Sequence, residues 1–197
     1  MARRADHSHD EIRAMAVDAA ARMIADDGLE NLKLRGIARE IGYAPGTLYN
    51  VFDSFDELMM RVNAETVDAL VAELEAAEHD GAPPDLLDLL AVYGGFAQRH
   101  GNRWKAVFDY SLADPTNAPD WYVAKLNAGL AVVERAVARI AGDNPAEAPA
   151  ETARVLWAGL HGIFSLGAEG NLAIVSRQDT DTLARTFVRM IDRAIRA

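Results

Sequence analysis

The sequence predicts an all-α fold, in which a small N-terminal domain of three helices is joined by a long helix to a larger helical C-terminal domain. Apolar residues recur at helical spacing along most of the chain, and no segment shows the period-two alternation of a half-buried strand. Residues that cap helix N-termini precede most of these apolar segments. Glycine and proline separate one segment from the next, so about nine helices are expected.

Composition excludes several classes of protein. The 197 residues contain no cysteine, which rules out disulfides, thiolate metal sites and a cysteine nucleophile. No apolar run reaches the ~18 residues of a membrane span. The N-terminus, MARRADHSHD, lacks the apolar core of a secretory signal. We therefore expect a cytoplasmic protein with no membrane segment.

The first helix has a clear start and a clear end. Ser8 and Glu11 form the capping box S-x-x-E, which places the start of the helix. Apolar residues then line one face at helical spacing. Gly28 is placed to end the helix.

Residues 34–57 have the pattern of a helix-turn-helix. Residues 35–41 form a short apolar-faced helix, and Gly42 can adopt the positive φ that ends it. Pro45 suits the first turn of a second short helix over residues 45–51. Two helices around a glycine turn within about twenty residues are typical of DNA-binding helix-turn-helix motifs.

A second capping box, Ser54 to Glu57, starts a long helix that extends to about Glu78. Residues 80–84, Asp-Gly-Ala-Pro-Pro, then interrupt the helical pattern. Asp85 can cap the following helix, which runs to Arg99 or His100 and stops at Gly101.

Four more helices are expected before the end of the chain. Asn102 can cap the first of them, and Asp120 can cap the second, which runs to Ala141. A Pro/Ala-rich loop over 143–149 precedes a helix over about 150–166, and Asp179 or Thr180 can cap the last. We place the domain boundary after residue 54, which gives residues 1–54 and 55–197.

A set of motifs, mostly in the first sixty residues, carries a family resemblance. The residues that match the family are Gly28, Ile37-Ala38-x-x-Ile41-Gly42, Gly46-Thr47-Leu48-Tyr49, Phe52 and Asp56-Glu57-Leu58. With them the chain resembles the tetracycline-repressor (TetR) family of one-component transcriptional regulators. Trp157-x-x-x-His161-Gly162 is similar to a C-terminal motif of one subgroup. The resemblance implies N-terminal DNA binding, a C-terminal ligand pocket, a dimer, and release of the operator when ligand binds.

The charge pattern departs from that family. Residues 1–56 carry seven Lys or Arg and ten Asp or Glu, whereas a DNA-binding domain usually has a basic face. Pro45, Asp53 and Phe55 stand where the family often has lysine. We expect weaker DNA binding than is usual in the family.

The candidate DNA contacts combine short side chains with polar groups. Gly46 lets the backbone approach, and Thr47 and Tyr49 can donate hydroxyl groups to phosphates. Lys33 and Arg35 are expected to hold the DNA backbone. The full set is Lys33, Arg35, Pro45, Gly46, Thr47, Tyr49 and Asn50. Arg3 and Arg4, in the N-terminal tail, are alternatively solvated or folded onto DNA.

The candidate ligand pocket rests on an aromatic-rich second half. Small-molecule pockets are apolar, aromatic-lined and carry a few polar groups, although most of these aromatics could equally be ordinary core. The predicted lining is Phe96, Trp104, Phe108, Tyr110, Trp121, Trp157, His161 and Phe164. The expected ligand is a small apolar or aromatic molecule. His161 is either a buried histidine that is hydrogen-bonded within the protein or a residue that contacts the ligand.

The candidate dimer interface combines small residues with an apolar stripe. Small residues let helices approach closely, and two helices from each chain would form a four-helix interface. The predicted residues are Gly159, Gly162, Leu183, Phe187, Met190 and Ile191. The alternative is that these helices pack within one chain.

These observations favour a ligand-released repressor that binds a palindromic double-stranded operator as a homodimer. The alternative is a same-fold ligand-binding or interaction protein that has lost specific operator binding. An enzyme is not expected, because the sequence has no G-x-S-x-G, P-loop or dinucleotide fingerprint. No cofactor or metal is expected either.

Overall fold

The computed structural model describes residues 7–77, 84–142 and 148–197, and these residues are helical and contain no strand. Two short 3-10 helices, Leu29–Asn31 and Pro115–Asn117, accompany ten α-helices in this part of the chain. In chain order the α-helices are α1 His9–Asp27, α2 Leu34–Glu40, α3 Pro45–Leu48, α4 Phe55–Ala76, α5 Leu86–Arg99, α6 Gly101–Asp109, α7 Asp120–Ala141, α8 Pro149–Ala168, α9 Leu172–Val175 and α10 Thr180–Arg196. The all-α prediction is confirmed.

Local side-chain caps set several helix starts as predicted. The Ser8 hydroxyl accepts a hydrogen bond from the Glu11 N–H at 3.3 Å, and the Glu11 carboxylate accepts from the Ser8 N–H at 2.6 Å. At α5 and α10, Asp85 and Asp179 accept from backbone N–H groups of the first turn. Gly28 ends α1 with φ 82°.

Some boundaries differ from the sequence prediction. The fold begins α6 at Gly101, and the Asn102 side chain donates to the Ala25 carbonyl instead of capping a helix. Helix α8 is longer than expected, and the short helix α9 was not predicted. The expected helix end at Glu78, the interruption over 80–83, the loop over 143–147 and Arg3 and Arg4 lie outside the described residues.

The chain forms two compact units. One contains residues up to Thr66 together with His100–Tyr122, and the other contains Val67–Arg99 together with Val123–Ala197. The first compact unit therefore contains α6 and the first half of α4 as well as the N-terminal helices. The functional boundary after residue 54 remains a proposal.

The first unit is built around one apolar core. Helix α1 packs against α2, α3 and α6, and its alanine-rich buried face allows close approach of these helices. The largest fully buried side chains here are Ile24, Ile37, Leu48, Leu58, Met59 and Val62. This core holds the two short helices α2 and α3, which are too short to be stable alone.

The second unit is built from the packing of α10 against α5 and α8. Phe96, Leu90, Val132, Val137 and Val188 are fully buried. Gly94 of α5 lies under the Phe164 ring, so closely that a methyl group there would stand 2.7 Å from Phe164 Cζ. The absence of a side chain at Gly94 therefore leaves room for the Phe164 ring of α8 against α5.

Candidate functional site

A glycine turn joins α2 and α3. Gly42 has φ 77°, its N–H donates to the Arg39 carbonyl at 3.1 Å, and the Tyr43 N–H donates to the Ala38 carbonyl at 2.8 Å. These two bonds form a Schellman motif, which satisfies the last carbonyls of α2 and reverses the chain. The predicted helix, glycine turn and helix are therefore present.

The segment after this turn, residues 45–52, is here called the recognition segment. Its α-helical part is shorter than predicted, since α3 ends at Leu48. Bonds from the N–H of Asn50 to the Thr47 carbonyl and of Val51 to the Leu48 carbonyl then continue the chain as a tighter turn. The short i→i+3 bonds explain the early end of the α-helix.

The recognition segment separates cleanly into a buried and an exposed face. Leu48, Val51 and Phe52 are buried in the core of the first unit. Tyr49 is 67% exposed, although exposure of a large aromatic ring is unusual. Gly46 and Asn50 are also exposed.

The other predicted DNA-contact residues precede Tyr49 and Asn50 in the sequence. Lys33 and Arg35 are exposed at the start of α2, while Pro45 and Thr47 are half-buried in α3. A methyl group at Gly46 would meet no atom within 4 Å, so the backbone there is open. The assignment of these seven residues to DNA binding remains a prediction.

One residue that holds the recognition segment was not predicted from the sequence. Arg13 of α1 donates from Nε and Nη2 to the Val51 carbonyl at 3.1 and 2.9 Å. Its guanidinium also lies 6.0 Å from the Phe52 ring centroid. Arg13 and Val51 are 38 residues apart, so no local sequence pattern indicates the contact.

The start of α4 is fixed by a hydroxyl, that of Ser54, and a carboxylate, that of Glu57, which follow the recognition segment. Ser54 accepts from the Glu57 N–H at 3.0 Å, and Glu57 accepts from the Asp53 N–H at 2.8 Å rather than from that of Ser54. Burial raises the pKa of Glu57, but the Asp53 N–H and the Arg61 guanidinium outweigh it and hold this pKa below its usual value. Glu57 is therefore ionised at neutral pH.

Asp56 ties the end of α6 to the start of α4. Its carboxylate accepts from the Tyr110 hydroxyl and, at 2.9 Å, from the Ala113 N–H. Burial, and then the hydrogen bond to Asp56, raise the pKa of Tyr110. The Tyr110 hydroxyl, predicted to face a ligand, thus has a structural hydrogen bond in the first unit.

Four of the eight predicted pocket residues lie in the second unit, and three of them form a connected cluster with Tyr93. The Tyr93 hydroxyl lies 3.3 Å from His161 Nδ1, and the His161 ring stacks on Trp157 with centroids 5.8 Å apart. Tyr93 also meets the Phe164 ring edge to face at 5.7 Å. The fourth residue, Phe96, is buried on the same helix as Tyr93.

The other four predicted pocket residues lie in the first unit. Trp104 is buried and meets Phe108 edge to face at 5.9 Å. Trp121 is partly exposed beneath the Arg61 guanidinium, whose Cζ lies 5.5 Å from the Trp121 ring centroid. With Tyr110, these residues complete the set, so the structure divides the eight between the two units.

Buried polar groups of α4 were also missed by the sequence analysis. Asn63 donates to the Ala106 carbonyl at 3.2 Å, and Thr66 accepts from Arg103 Nε at 3.1 Å. Both Asn63 and Thr66 are buried. Their helical positions are ordinary, so only the contact with α6 reveals them.

The predicted dimer residues lie on α8 and α10. The Phe187 ring packs where a Gly159 side chain would stand, so the small residue at Gly159 already has a role within the chain. Gly162 is open, and Met190 is 62% exposed. The other residues of the set, Leu183, Phe187 and Ile191, are half-buried. Their place in a dimer remains a prediction.

Within residues 7–77, 84–142 and 148–197, no group of three or more His, Asp or Glu side chains is arranged to hold a metal ion. Among the helices of these same ranges, none combines the length and the apolarity that crossing a membrane requires.

Two family models match the chain. Residues 16–62 match "Bacterial regulatory proteins, tetR family", and residues 86–194 match "Tetracyclin repressor-like, C-terminal domain". The first match contains the helix-turn-helix, and the second contains the cluster around Tyr93 and the α8 and α10 faces.

Individual proteins are similar to this chain as well. An uncharacterised HTH-type transcriptional regulator of Mycobacterium tuberculosis, Rv0681, is 26% identical over 177 residues, which is 89% of this chain and 78% of the relative. A solved Rhodococcus sp. RHA1 protein of unknown function shares the fold, with TM-score 0.74, 23% identity and coverage of 99% and 100% of the two chains.

A third similar protein is SmeT, the repressor of the Stenotrophomonas maltophilia multidrug efflux pump SmeDEF. It shares the fold with TM-score 0.59 and 21% identity, over 92% of this chain and 89% of SmeT. A complex of SmeT with triclosan has also been solved, and it is similar to this chain with TM-score 0.57.

Proposed function

The chain belongs to the TetR family of bacterial regulatory proteins, and from that premise we propose that it is a ligand-released repressor that binds a palindromic operator as a homodimer. As a member of this family it is a transcriptional regulator with a helix-turn-helix DNA-binding domain, and its relatives are regulators rather than enzymes. Repression, ligand release and the dimer are the proposed parts.

The observation that supports DNA recognition best is the exposed face of the recognition segment. Tyr49 is exposed, whereas the nearby side chains of Leu48, Val51 and Phe52 are buried. An aromatic hydroxyl, an amide at Asn50 and an open backbone at Gly46 are suited to phosphate and base-edge contacts. Because two thirds of its surface is exposed, Tyr49 adds little to the core formed by the described residues of the first unit.

The proposed dimer rests on α8 and α10. Met190 of α10 and Val155 and Leu166 of α8 are exposed apolar side chains, and a two-fold dimer would remove them from water. Because a two-fold dimer presents two identical recognition segments, the matching operator is a palindrome with half-sites about one DNA turn apart.

The proposed ligand site is the cluster of Tyr93, Trp157, His161 and Phe164 in the second unit. Three aromatic rings and an imidazole suit a small apolar or aromatic ligand. SmeT, which shares the fold, binds triclosan. A ligand that binds better to the DNA-free form lowers DNA affinity by the ratio of its affinities for the two forms.

The test of the proposed function is selection of DNA by the protein itself. We expect the full-length protein to enrich one sequence from a random duplex library at low salt, and that sequence to contain an inverted repeat. Binding should weaken steeply between low and moderate salt. Failure to enrich any sequence at low salt would favour the alternative, a ligand-binding or interaction protein without operator binding. The exposed Asp53 and the acidic N-terminal sequence are the observations that motivate this alternative.

A further inference from the structure

We propose that Arg13 is a positioning residue for DNA recognition, because its guanidinium fixes the backbone that carries Tyr49 and Asn50. Arg13 lies on α1, outside the recognition segment, and donates twice to the carbonyl of Val51. The contact is made one residue after Asn50 and two after Tyr49. Through this contact α1 fixes the direction in which the exposed side chains leave the backbone.

The Val51 carbonyl lies beyond the end of α3, outside the hydrogen-bond pattern of that helix. The last carbonyls of a helix have no intrahelical donor, and α3 ends at Leu48 before a single tight turn. A donor that carries a charge forms a stronger hydrogen bond than a neutral donor. The guanidinium therefore adds two charged hydrogen bonds to a turn that backbone bonds of 3.0–3.1 Å already form.

Three other contacts act with Arg13 on the same few residues. The Phe52 side chain is buried beside the guanidinium, and the Phe52 N–H donates to the Leu48 carbonyl at 3.0 Å. On the other side, the Asp53 N–H is held by Glu57. The Arg13 contact is thus one part of a clamp over residues 51–53.

The charge of Arg13 is already balanced within the protein. Its Nη1 atom pairs with Asp10 one turn earlier in α1, and the Glu57 carboxylate lies within its electrostatic range. The side chain is 29% exposed. A cation that is largely covered and paired is poorly placed to neutralise a DNA phosphate, so its effect on DNA binding acts through the backbone.

The inference rests on DNA binding by this family member, and the experiment separates the two claims. The variants are Arg13→Gln, which removes the charge but keeps one donor, and Arg13→Lys, which keeps the charge without the planar fork. The control is Arg22→Gln, because Arg22 lies on the same helix and its ion-pair partners, Asp18 of α1 and Glu40 of α2, both lie outside the recognition segment. Arg13→Lys keeps the test possible if Arg13→Gln does not fold.

Amide hydrogen exchange of residues 49–53 gives the first measurement and needs no DNA. We expect Arg13→Gln to accelerate exchange at Val51, Phe52 and Asp53 by about tenfold, the loss of one charged hydrogen bond. Exchange in the middle of α1 should be unchanged. Arg22→Gln should leave all of these amides as in the parent protein.

Binding of the library-selected duplex and of a scrambled duplex gives the second measurement. We expect Arg13→Gln to weaken specific binding about tenfold, with little change in scrambled binding or in the salt slope, and Arg13→Lys to lie between. Equal weakening of both duplexes, with a slope shallower by about 0.9, would mean a direct phosphate contact and overturn the inference. Unchanged specific binding would also overturn it. If the parent protein selects no duplex, the proposed function fails instead, while the exchange measurement still decides whether Arg13 holds the segment.

Discussion

At the scale of single residues, the electrostatics of the recognition segment decide how tightly the protein can hold DNA. Asp53 is exposed directly after the segment, where the family often has a lysine. Its backbone N–H, and not its side chain, makes the contact to Glu57. The side chain can therefore be exchanged without disturbing the clamp over residues 51–53.

Replacing Asp53 with lysine should strengthen DNA binding. We expect Asp53→Lys to raise the affinity for specific and scrambled duplexes alike by about tenfold at moderate salt, because it adds one phosphate contact. The same contact should steepen the salt slope by about 0.9. Fluorescence anisotropy over a salt series measures both quantities. The control Glu75→Lys makes the same charge change at an exposed position of α4, and an equal gain in that variant would show that net charge alone is responsible.

At the scale of helices, close packing depends on residues without side chains. Gly94 and Gly95 are neighbours in α5 but differ in what surrounds them. A methyl group at Gly94 would stand 2.7 Å from the Phe164 ring, whereas at Gly95 it would meet the far end of the long Arg99 side chain, which pairs with Glu73, at 2.9 Å. Only Gly94 is therefore required for the packing of α5 on α8.

This difference predicts opposite effects of the same substitution. Gly94→Ala should lower the free energy of unfolding by about 1–3 kcal/mol, because the Phe164 ring must move. Gly95→Ala should leave it unchanged or raise it by up to about 1 kcal/mol, because alanine favours the helix. Urea unfolding followed by circular dichroism measures the pair, and similar values for the two variants would contradict the packing described here.

The helices also show what a sequence can and cannot predict. The caps by Ser8, Asp85 and Asp179 were predicted correctly, because each depends on residues no more than three positions apart. The contact of Arg13 with Val51 and that of Asn102 with Ala25 were missed, because they join residues 38 and 77 positions apart. The division of the eight predicted pocket residues between the two units was not predicted either, since aromatic content does not say which unit a helix joins.

At the scale of the whole molecule, the proposed function requires two chains and two coupled sites. Helix α4 contributes residues to both compact units, so it links them covalently. Thermodynamic linkage then makes a definite demand. If a ligand lowers the DNA affinity by some factor, DNA must lower the ligand affinity by the same factor.

The proposed dimer predicts that one exposed apolar residue matters and another does not. Met190→Glu should shift the protein from dimer to monomer at micromolar concentration, because it would bury a charge in the interface. Ile174→Glu is the matched control, since Ile174 of α9 is 81% exposed and lies outside the proposed face. Sedimentation velocity measures the outcome. A dimeric Met190→Glu protein would place the interface elsewhere.

The most direct test of the account is the effect of Tyr49 on binding of the library-selected duplex. Tyr49→Ala removes the ring and hydroxyl that the fold exposes, and Tyr49→Phe removes the hydroxyl alone. We predict that Tyr49→Ala weakens specific binding by about tenfold or more, the loss of a phosphate or base contact, while helicity and dimerisation stay as in the parent protein. Binding of the selected duplex at full strength by Tyr49→Ala would contradict the central claim that the exposed face of the recognition segment reads DNA.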